Sequence, residues 1–108
     1  MKDYKEVEIG YYIKIGDNYL SSISAKGVVS ISNDVKNALY FSDEESNVEI
    51  ELFKVVSKLK LYGFDGVVIR VEEATAVTYT IREMEFVTEA YQNNPSYTDT
   101  KLKEKTQW

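Results

Sequence analysis

One segment of helical periodicity lies between segments of strand periodicity, and this order limits the chain to a mixed fold. Before and after residues 48–62, apolar and polar residues alternate, the period of a strand with one buried face. Within that segment, apolar residues recur at steps of three and four: Val48, Leu52, Val55, Val56, Leu59 and Tyr62. We expect an α+β domain in which one main helix packs on one face of an antiparallel sheet of about four to six strands.

The first predicted strand pair and the helix have recognisable boundaries. Residues 7–15 alternate strictly, and the turn-forming Gly16-Asp17-Asn18 follows, which predicts an antiparallel hairpin. Ser42 with Glu45 three residues later predicts a capping box at the start of the helix, and Gly63 predicts its end. The apolar segment 38–41 fits either a further strand or a buried approach to the helix, and both interpretations stay open.

Residues 76–86 are predicted to form the last strand of the domain. Glu83 and Glu85 share the parity of its predicted inward residues, so we expect a bulge there or a strand that leaves the core. The side chains predicted to face the core are Val77, Tyr79 and Ile81.

The composition suggests one domain over residues 1–87, followed by a polar tail over residues 88–108. The tail holds the single proline and few aliphatic residues, so we expect it to be disordered or loosely docked, a flexible C-terminal segment. The opening sequence MKDYKEVEIG lacks an apolar signal core, and no segment approaches the ~20 apolar residues of a membrane span. These features predict a cytoplasmic protein without membrane contact.

The absence of histidine and cysteine removes several kinds of chemistry. Histidine is the commonest general base and zinc ligand, and cysteine is required for thiolate chemistry and disulfides. The glycines are isolated, so no phosphate-binding loop is present. We therefore predict that the protein is not an enzyme and has no catalytic residue, cofactor or metal. One alternative is an enzyme that works through carboxylates.

The net charge of −5 lies on residues 1–87, because acids and lysines balance in the tail. An acidic surface repels phosphate, so we predict no direct binding of nucleic acid. In one interpretation the acids imitate phosphates and occupy a basic, nucleic-acid-binding groove on a partner; in the other they are the ordinary acids of helix starts and outward strand positions. The set consists of Glu44, Glu45, Glu49, Glu51, Glu72, Glu73, Glu83 and Glu85.

Aromatic residues supply the second kind of candidate site. Tyr12 lies on the parity opposite to the buried residues of its strand, and with Tyr4 it suggests an exposed aromatic anchor. Isolated aromatics in the tail are typical of a segment that becomes ordered on a partner. Together with three acids, the predicted partner-binding residues are Tyr4, Tyr12, Glu44, Glu45, Glu49, Tyr91, Tyr97 and Trp108.

Four segments carry a resemblance to known proteins: YYIKIGDNYLSS (11–22), ALYFSDEES (38–46), GVVIRVEE (66–73) and YTIREMEF (79–86). With them the chain resembles small early proteins of phages of Gram-positive bacteria, staphylococcal phages in particular. The shared features are a short hairpin, an acidic helix start and an acidic strand, none of which is a catalytic motif. Proteins of this kind are mostly of unknown function, so the resemblance implies no active residues. It implies an accessory protein that binds a host or phage protein.

These observations favour a non-enzymatic protein-binding module, which inhibits or modulates a host or defence protein by steric occlusion. Its surface would be acidic and would bear tyrosines. The alternative is a structural protein that assembles into a homo-oligomer through open sheet edges. The sequence identifies neither the partner nor the oligomeric state.

Overall fold

A computed structural model describes residues 7–91 and 94–105 of the chain. Side chains of residues 88–99 lie outside this description. The elements are β1 (Val7–Ile15), β2 (Asn18–Ile23), β3 (Val29–Ser32), a 3-10 turn (Val35–Asn37), β4 (Phe41–Ser42), α1 (Val48–Leu61), β5 (Val67–Thr75), β6 (Tyr79–Tyr91) and β7 (Asn94–Glu104). The predicted α+β class, with one main helix on an antiparallel sheet, is confirmed.

The sheet has the order β3-β2-β1-β5-β6-β7, and every pairing is antiparallel. The two-residue β4 pairs with β1 beside this main order, so the segment 38–41 reaches a strand only at its last residue. The predicted hairpin of β1 and β2 is confirmed, and Gly16 in its turn has a φ of 64°. In addition, β1 pairs with β5 over its full length, from Val7 opposite Thr75 to Ile15 opposite Val67.

The core lies between α1 and one face of this sheet. Because side chains alternate along a strand, one parity of β1 and of β5 supplies the apolar residues that meet the helix. The largest fully buried side chains are Ile13, Leu20, Leu52, Leu59, Ile69 and Val71. No helix in the described part of the chain is long and apolar enough to cross a membrane.

The helix ends as predicted but does not begin as predicted. At its end Gly63 has a φ of 94°, and the N–H groups of Gly63 and Phe64 donate to Lys60 and Leu59 carbonyls, the bonds of a Schellman motif. At its start the predicted capping box is wrong, since the helix begins at Val48. Ser42 is held by β4, and its Oγ accepts a hydrogen bond from the N–H of Glu44 in a turn.

The predicted inward face of the last strand is also wrong. Val77 is 88% exposed and precedes β6, while Tyr79 and Ile81 are 58% and 49% exposed. The register with β5 runs without a shift from Ala74 opposite Tyr79 to Ile69 opposite Met84, so no bulge intervenes. The opposite parity, which carries Met84 and Phe86, packs against the core. Glu83 and Glu85 therefore lie on the outer face as an ordinary consequence of alternation.

The boundary predicted at residue 87 falls inside a strand. β6 continues to Tyr91, and β7 pairs with it from Asn94 to Glu104, with Phe86 opposite Leu102. Leu102 packs against the core, which gives this polar segment an apolar attachment to the domain. In the described residues, the expected tail is thus the outer hairpin of the sheet.

Two of the leucines of α1, Leu52 and Leu61, should distinguish the stability contribution of a core position from that of a surface position. Leu52 is fully buried, so Leu52→Ala should lower the free energy of unfolding by about 2–5 kcal/mol. Leu61 is 84% exposed on the same helix, and Leu61→Ala should change it by less than about 0.5 kcal/mol. Urea denaturation followed by circular dichroism measures both. Equal losses in the two variants would contradict the packing described.

Candidate binding site on the open face of the sheet

The face of the sheet away from α1 carries aromatic and charged side chains. On β1 and β5, the residues that alternate with the core positions point to this side, and register places them next to one another. Tyr12 pairs with Arg70 and Gly10 pairs with Glu72. We call this side the open face, and its central residues are Gly10, Tyr12, Lys14, Tyr19, Arg70, Glu72, Tyr79 and Glu83.

Three tyrosine rings form a row across the open face. The rings of Tyr12 and Tyr40 are 5.5 Å apart at an interplanar angle of 57°, and those of Tyr12 and Tyr19 are 6.4 Å apart at 74°. Both arrangements are within the range favoured by aromatic quadrupoles. Tyr40 reaches the sheet because Gly10 has no side chain: a Cβ there would overlap the Tyr40 ring and lie 2.7 Å from its Oη. The absence of a side chain at Gly10 therefore leaves the space that the Tyr40 ring occupies.

Two ion pairs hold the charged residues of this face in place. Arg70 Nη2 lies 2.8 Å from Glu72 Oε2, and both side chains are 19% exposed. The guanidinium also lies over the Tyr19 ring, 5.6 Å from its centroid, and donates a hydrogen bond to the Tyr19 hydroxyl. Burial opposes the charged form of Arg70, but hydrogen bonds to Tyr19 and Tyr79 and the charge of Glu72 outweigh it and raise the Arg70 pKa.

The second ion pair joins β1 to β6. Lys14 Nζ donates to Glu83 Oε2 at 2.8 Å. This hydrogen bond is the main reason why the pKa of Glu83 lies below its ordinary value of 4.5, against the opposing effect of burial. This half-buried ion pair lies on the open face, beside the tyrosine row.

A concavity of about 280 Å³ opens where the tyrosine row meets β5 and β6. We call it the tyrosine pocket, and it is lined by Glu8, Gly10, Tyr12, Tyr40, Glu72, Ala74 and Tyr79. Tyr40 and Tyr79 are 49% and 58% exposed, so their rings are accessible at its rim. Burial, with the charge of Glu72, raises the pKa of Tyr12, and burial, with the charges of Glu8 and Glu72, raises the pKa of Tyr40. Both phenols are neutral at physiological pH.

The residues predicted for partner binding do not share one surface. Tyr12 lies in the tyrosine pocket. Glu44 and Glu45 are exposed in the turn that precedes α1, and Glu49 is exposed on the helix itself, on the other side of the sheet. Tyr4 and Trp108, and the side chains of Tyr91 and Tyr97, lie outside the described part; the backbones of the latter two belong to β6 and β7.

The eight acids proposed to imitate phosphates are likewise divided between the two faces. Glu72 and Glu83 belong to the open face, where each is paired with a cation. Glu73, on the opposite parity of β5, lies 3.5 Å from an Arg82 nitrogen, and Glu51 on the helix lies 3.5 Å from Lys54. These eight acids therefore do not form one continuous acidic surface.

A second concavity lies between α1 and the β6–β7 hairpin. Its volume is about 350 Å³, and it is lined by Glu49, Ile50, Phe53, Phe86 and Thr100. The Phe53 and Phe86 rings pack edge to face at 5.2 Å. This groove is apolar apart from Glu49 and Thr100, whereas the lining of the tyrosine pocket combines three aromatic rings with two carboxylates. The tyrosine pocket is therefore the better candidate for a specific site.

Most residues of the tyrosine pocket were not predicted from the sequence. Tyr40 comes from the irregular segment before β4, and Tyr79 was assigned to the core. Besides the parity of Tyr12, a signal for this site was Gly10, a residue without a side chain inside a strictly alternating strand, which commonly marks a close approach by another group. Among the described residues, no cluster of three or more acidic, histidine or cysteine side chains is arranged to hold a metal ion.

Comparison with protein-family models, curated proteins and solved structures finds no match for this chain.

The role of Gly10 leads to a structural prediction. In Gly10→Ala the new methyl group should displace the Tyr40 ring and remove its contact with Tyr12, an aromatic pair worth about 0.5–1.5 kcal/mol. Two-dimensional NMR should show loss of the cross-peaks between the two rings. In a Tyr40→Ala background the same alanine has no ring to displace, so its cost should disappear. Retained cross-peaks in Gly10→Ala would refute this role.

The Lys14–Glu83 pair should make stability depend on acid pH. Because the folded pKa of Glu83 is below 4.5, its contribution is complete above that value and is lost as pH falls through the folded pKa. The stability difference between the wild type and Glu83→Gln should thus be larger at pH 7 than at pH 3, as measured by thermal denaturation. Glu45→Gln, at an exposed acid, serves as the control. A difference that stays constant with pH would exclude the pair as its source.

Proposed function

We propose that this chain is a non-enzymatic protein-binding module that engages its partner through the open face. The observation that carries the proposal is the tyrosine pocket, where three accessible or half-buried rings surround a concavity with two carboxylates in its lining. Tyrosine is among the residues most enriched at the energetic centres of interfaces, because a large rigid ring and a hydroxyl contact the partner at little entropic cost.

The scaffold beneath the pocket supports this assignment. Apart from Tyr40, the residues that line the pocket belong to β1, β5 and β6, which are interior strands of the sheet, and β1 and β5 are paired over nine residues. The Arg70–Glu72 ion pair and the row of rings fix side chains before any partner arrives. A preorganised surface loses less conformational entropy on association, which favours binding.

The mode of action we propose is steric occlusion. A module of this size that occupies a functional surface of its partner blocks that surface without performing chemistry. The resemblance to small early phage proteins leads us to propose a host or defence protein as the partner. The carboxylates of Glu8 and Glu72 favour a basic surface on that protein through charge complementarity.

Assembly through sheet edges is less well supported. In the described residues, the main strand order ends in β3, which has four residues, and β7, and the two-residue β4 lies beside it. β7 carries Pro95 near its start and Lys101 and Lys103 near its end, features that discourage strand pairing with another chain. The open face is thus a better candidate for contact than either edge.

Paired variants test whether the open face binds a protein. In Tyr40→Ser/Tyr79→Ser, two exposed rings of the pocket are removed; in the control Tyr62→Ser, a ring of similar exposure is removed at the end of α1. Immobilised wild type and control should retain the same protein from a lysate of a Gram-positive host. The double variant should bind that protein about 30-fold more weakly or worse, as two lost hot-spot residues predict.

Three outcomes would contradict the proposal. Equal retention by all three proteins would place the contact elsewhere, and equal loss in the control would indicate a contact on the helix side. Light scattering of the purified wild type provides the third: a stable oligomer that survives the double substitution would favour assembly. Circular dichroism establishes that each variant is folded.

A further inference from the structure

The lining of the tyrosine pocket has the composition of a site for an organic cation. The faces of Tyr12, Tyr40 and Tyr79 carry the negative part of the aromatic quadrupole, which attracts a positive group placed over the ring. Glu8 and Glu72 add two carboxylates to the same lining. An anion at this position would be repelled by these carboxylates, and a purely apolar group would leave the Glu8 carboxylate without a partner among the described residues.

The balance of charge in the lining leaves room for one added positive charge. Arg70 lies beside the pocket, and its Nη2 atom, 2.8 Å from Glu72 Oε2, compensates the negative charge of Glu72. Glu8 is exposed and makes no ion pair with another described residue. The two carboxylates and one guanidinium therefore sum to a single negative charge. A carboxylate accepts hydrogen bonds at both oxygens, so Glu72 is able to serve Arg70 and an incoming donor together.

The same face already holds one guanidinium in such surroundings. Arg70 lies between the Tyr19 ring, 5.6 Å from its centroid, and the Glu72 carboxylate. A guanidinium is planar, stacks on aromatic faces and donates two parallel hydrogen bonds to a carboxylate, whereas an ammonium is a compact and strongly hydrated charge. A pocket lined by three aromatic rings and two carboxylates therefore suits the planar group better.

We infer that the tyrosine pocket receives the guanidinium of an arginine side chain presented by the partner protein. This inference rests on the proposed function and specifies the chemistry that its site recognises. The guanidinium lies against the rings of Tyr40 and Tyr79 and donates to Glu8 and Glu72. A volume of about 280 Å³ is at the small end for ligand pockets, as expected for one side chain and not for a larger molecule.

Small probes test the inference without knowledge of the partner. N-acetyl-L-arginine amide is titrated to roughly 100 mM into the protein labelled with ¹³C in its tyrosine rings, since a single side chain binds weakly. The ring signals of Tyr12, Tyr40 and Tyr79 should shift and saturate. N-acetyl-L-citrulline amide has nearly the same shape without charge, and it should bind about threefold more weakly or worse. The lysine analogue should also bind more weakly than the arginine probe.

Matched variants assign the carboxylate. Glu8→Gln should weaken binding of the arginine probe about threefold, because it removes a negative charge of the lining that no cation among the described residues compensates. Glu49→Gln removes an exposed charge on α1, on the other side of the sheet, and it should leave binding unchanged. Raising the salt concentration from low to about 0.5 M should reduce the affinity of the wild type.

Several results would overturn the inference. These are the absence of saturable shifts on the pocket tyrosines, equal binding of citrulline and arginine probes, tighter binding of the lysine probe, or an equal effect of Glu49→Gln. The outcome is separable from that of the proposed function. If the tyrosine double variant loses its protein partner while arginine does not bind, the interface stands and its chemistry is different. If arginine binds while the partner is retained by the double variant, the proposed interface fails.

Discussion

The pairing of β1 with β5 is the constraint on which the rest of the structure depends. It joins segments that are more than fifty residues apart, and its register decides which side chains meet on each face. On one face it brings Ile13 next to Ile69 beneath the helix. On the other it brings Tyr12 next to Arg70. Because alternation is strict, a slip of one residue would expose the core and bury the charged layer. The core thus fixes the geometry of the open face.

The sequence was informative wherever the signal was local. The period of α1, the β1–β2 turn and the glycine after the helix are each determined by neighbouring residues, and each prediction of these elements was confirmed. Tyr12 could be placed on the outer side of β1 for the same reason. The helix start failed because Ser42 is in a strand that pairs with Gly10, so its hydroxyl turns the chain before the helix instead of capping it.

Tertiary contacts decided what the sequence could not. β6 has apolar residues on both parities, Tyr79 and Ile81 on one and Met84 and Phe86 on the other, so periodicity alone gives no preferred inner face. The register with β5 selects the second pair. The position of Tyr40 could not be predicted from periodicity either, because this residue lies in a loop. Its place on the open face is explained by the space above Gly10.

The two faces of the sheet differ in the side chains that they carry, and this difference bears on function. The helix side excludes water from aliphatic side chains and provides stability. The open face keeps its partly buried charges in pairs, with Arg70 on Glu72 and Lys14 on Glu83, which limits the cost of removing them from water. An obligate assembly interface would be more apolar, whereas paired charges around accessible tyrosines remain compatible with a free monomer. These properties are the physical basis for our proposal that the open face binds a separate partner.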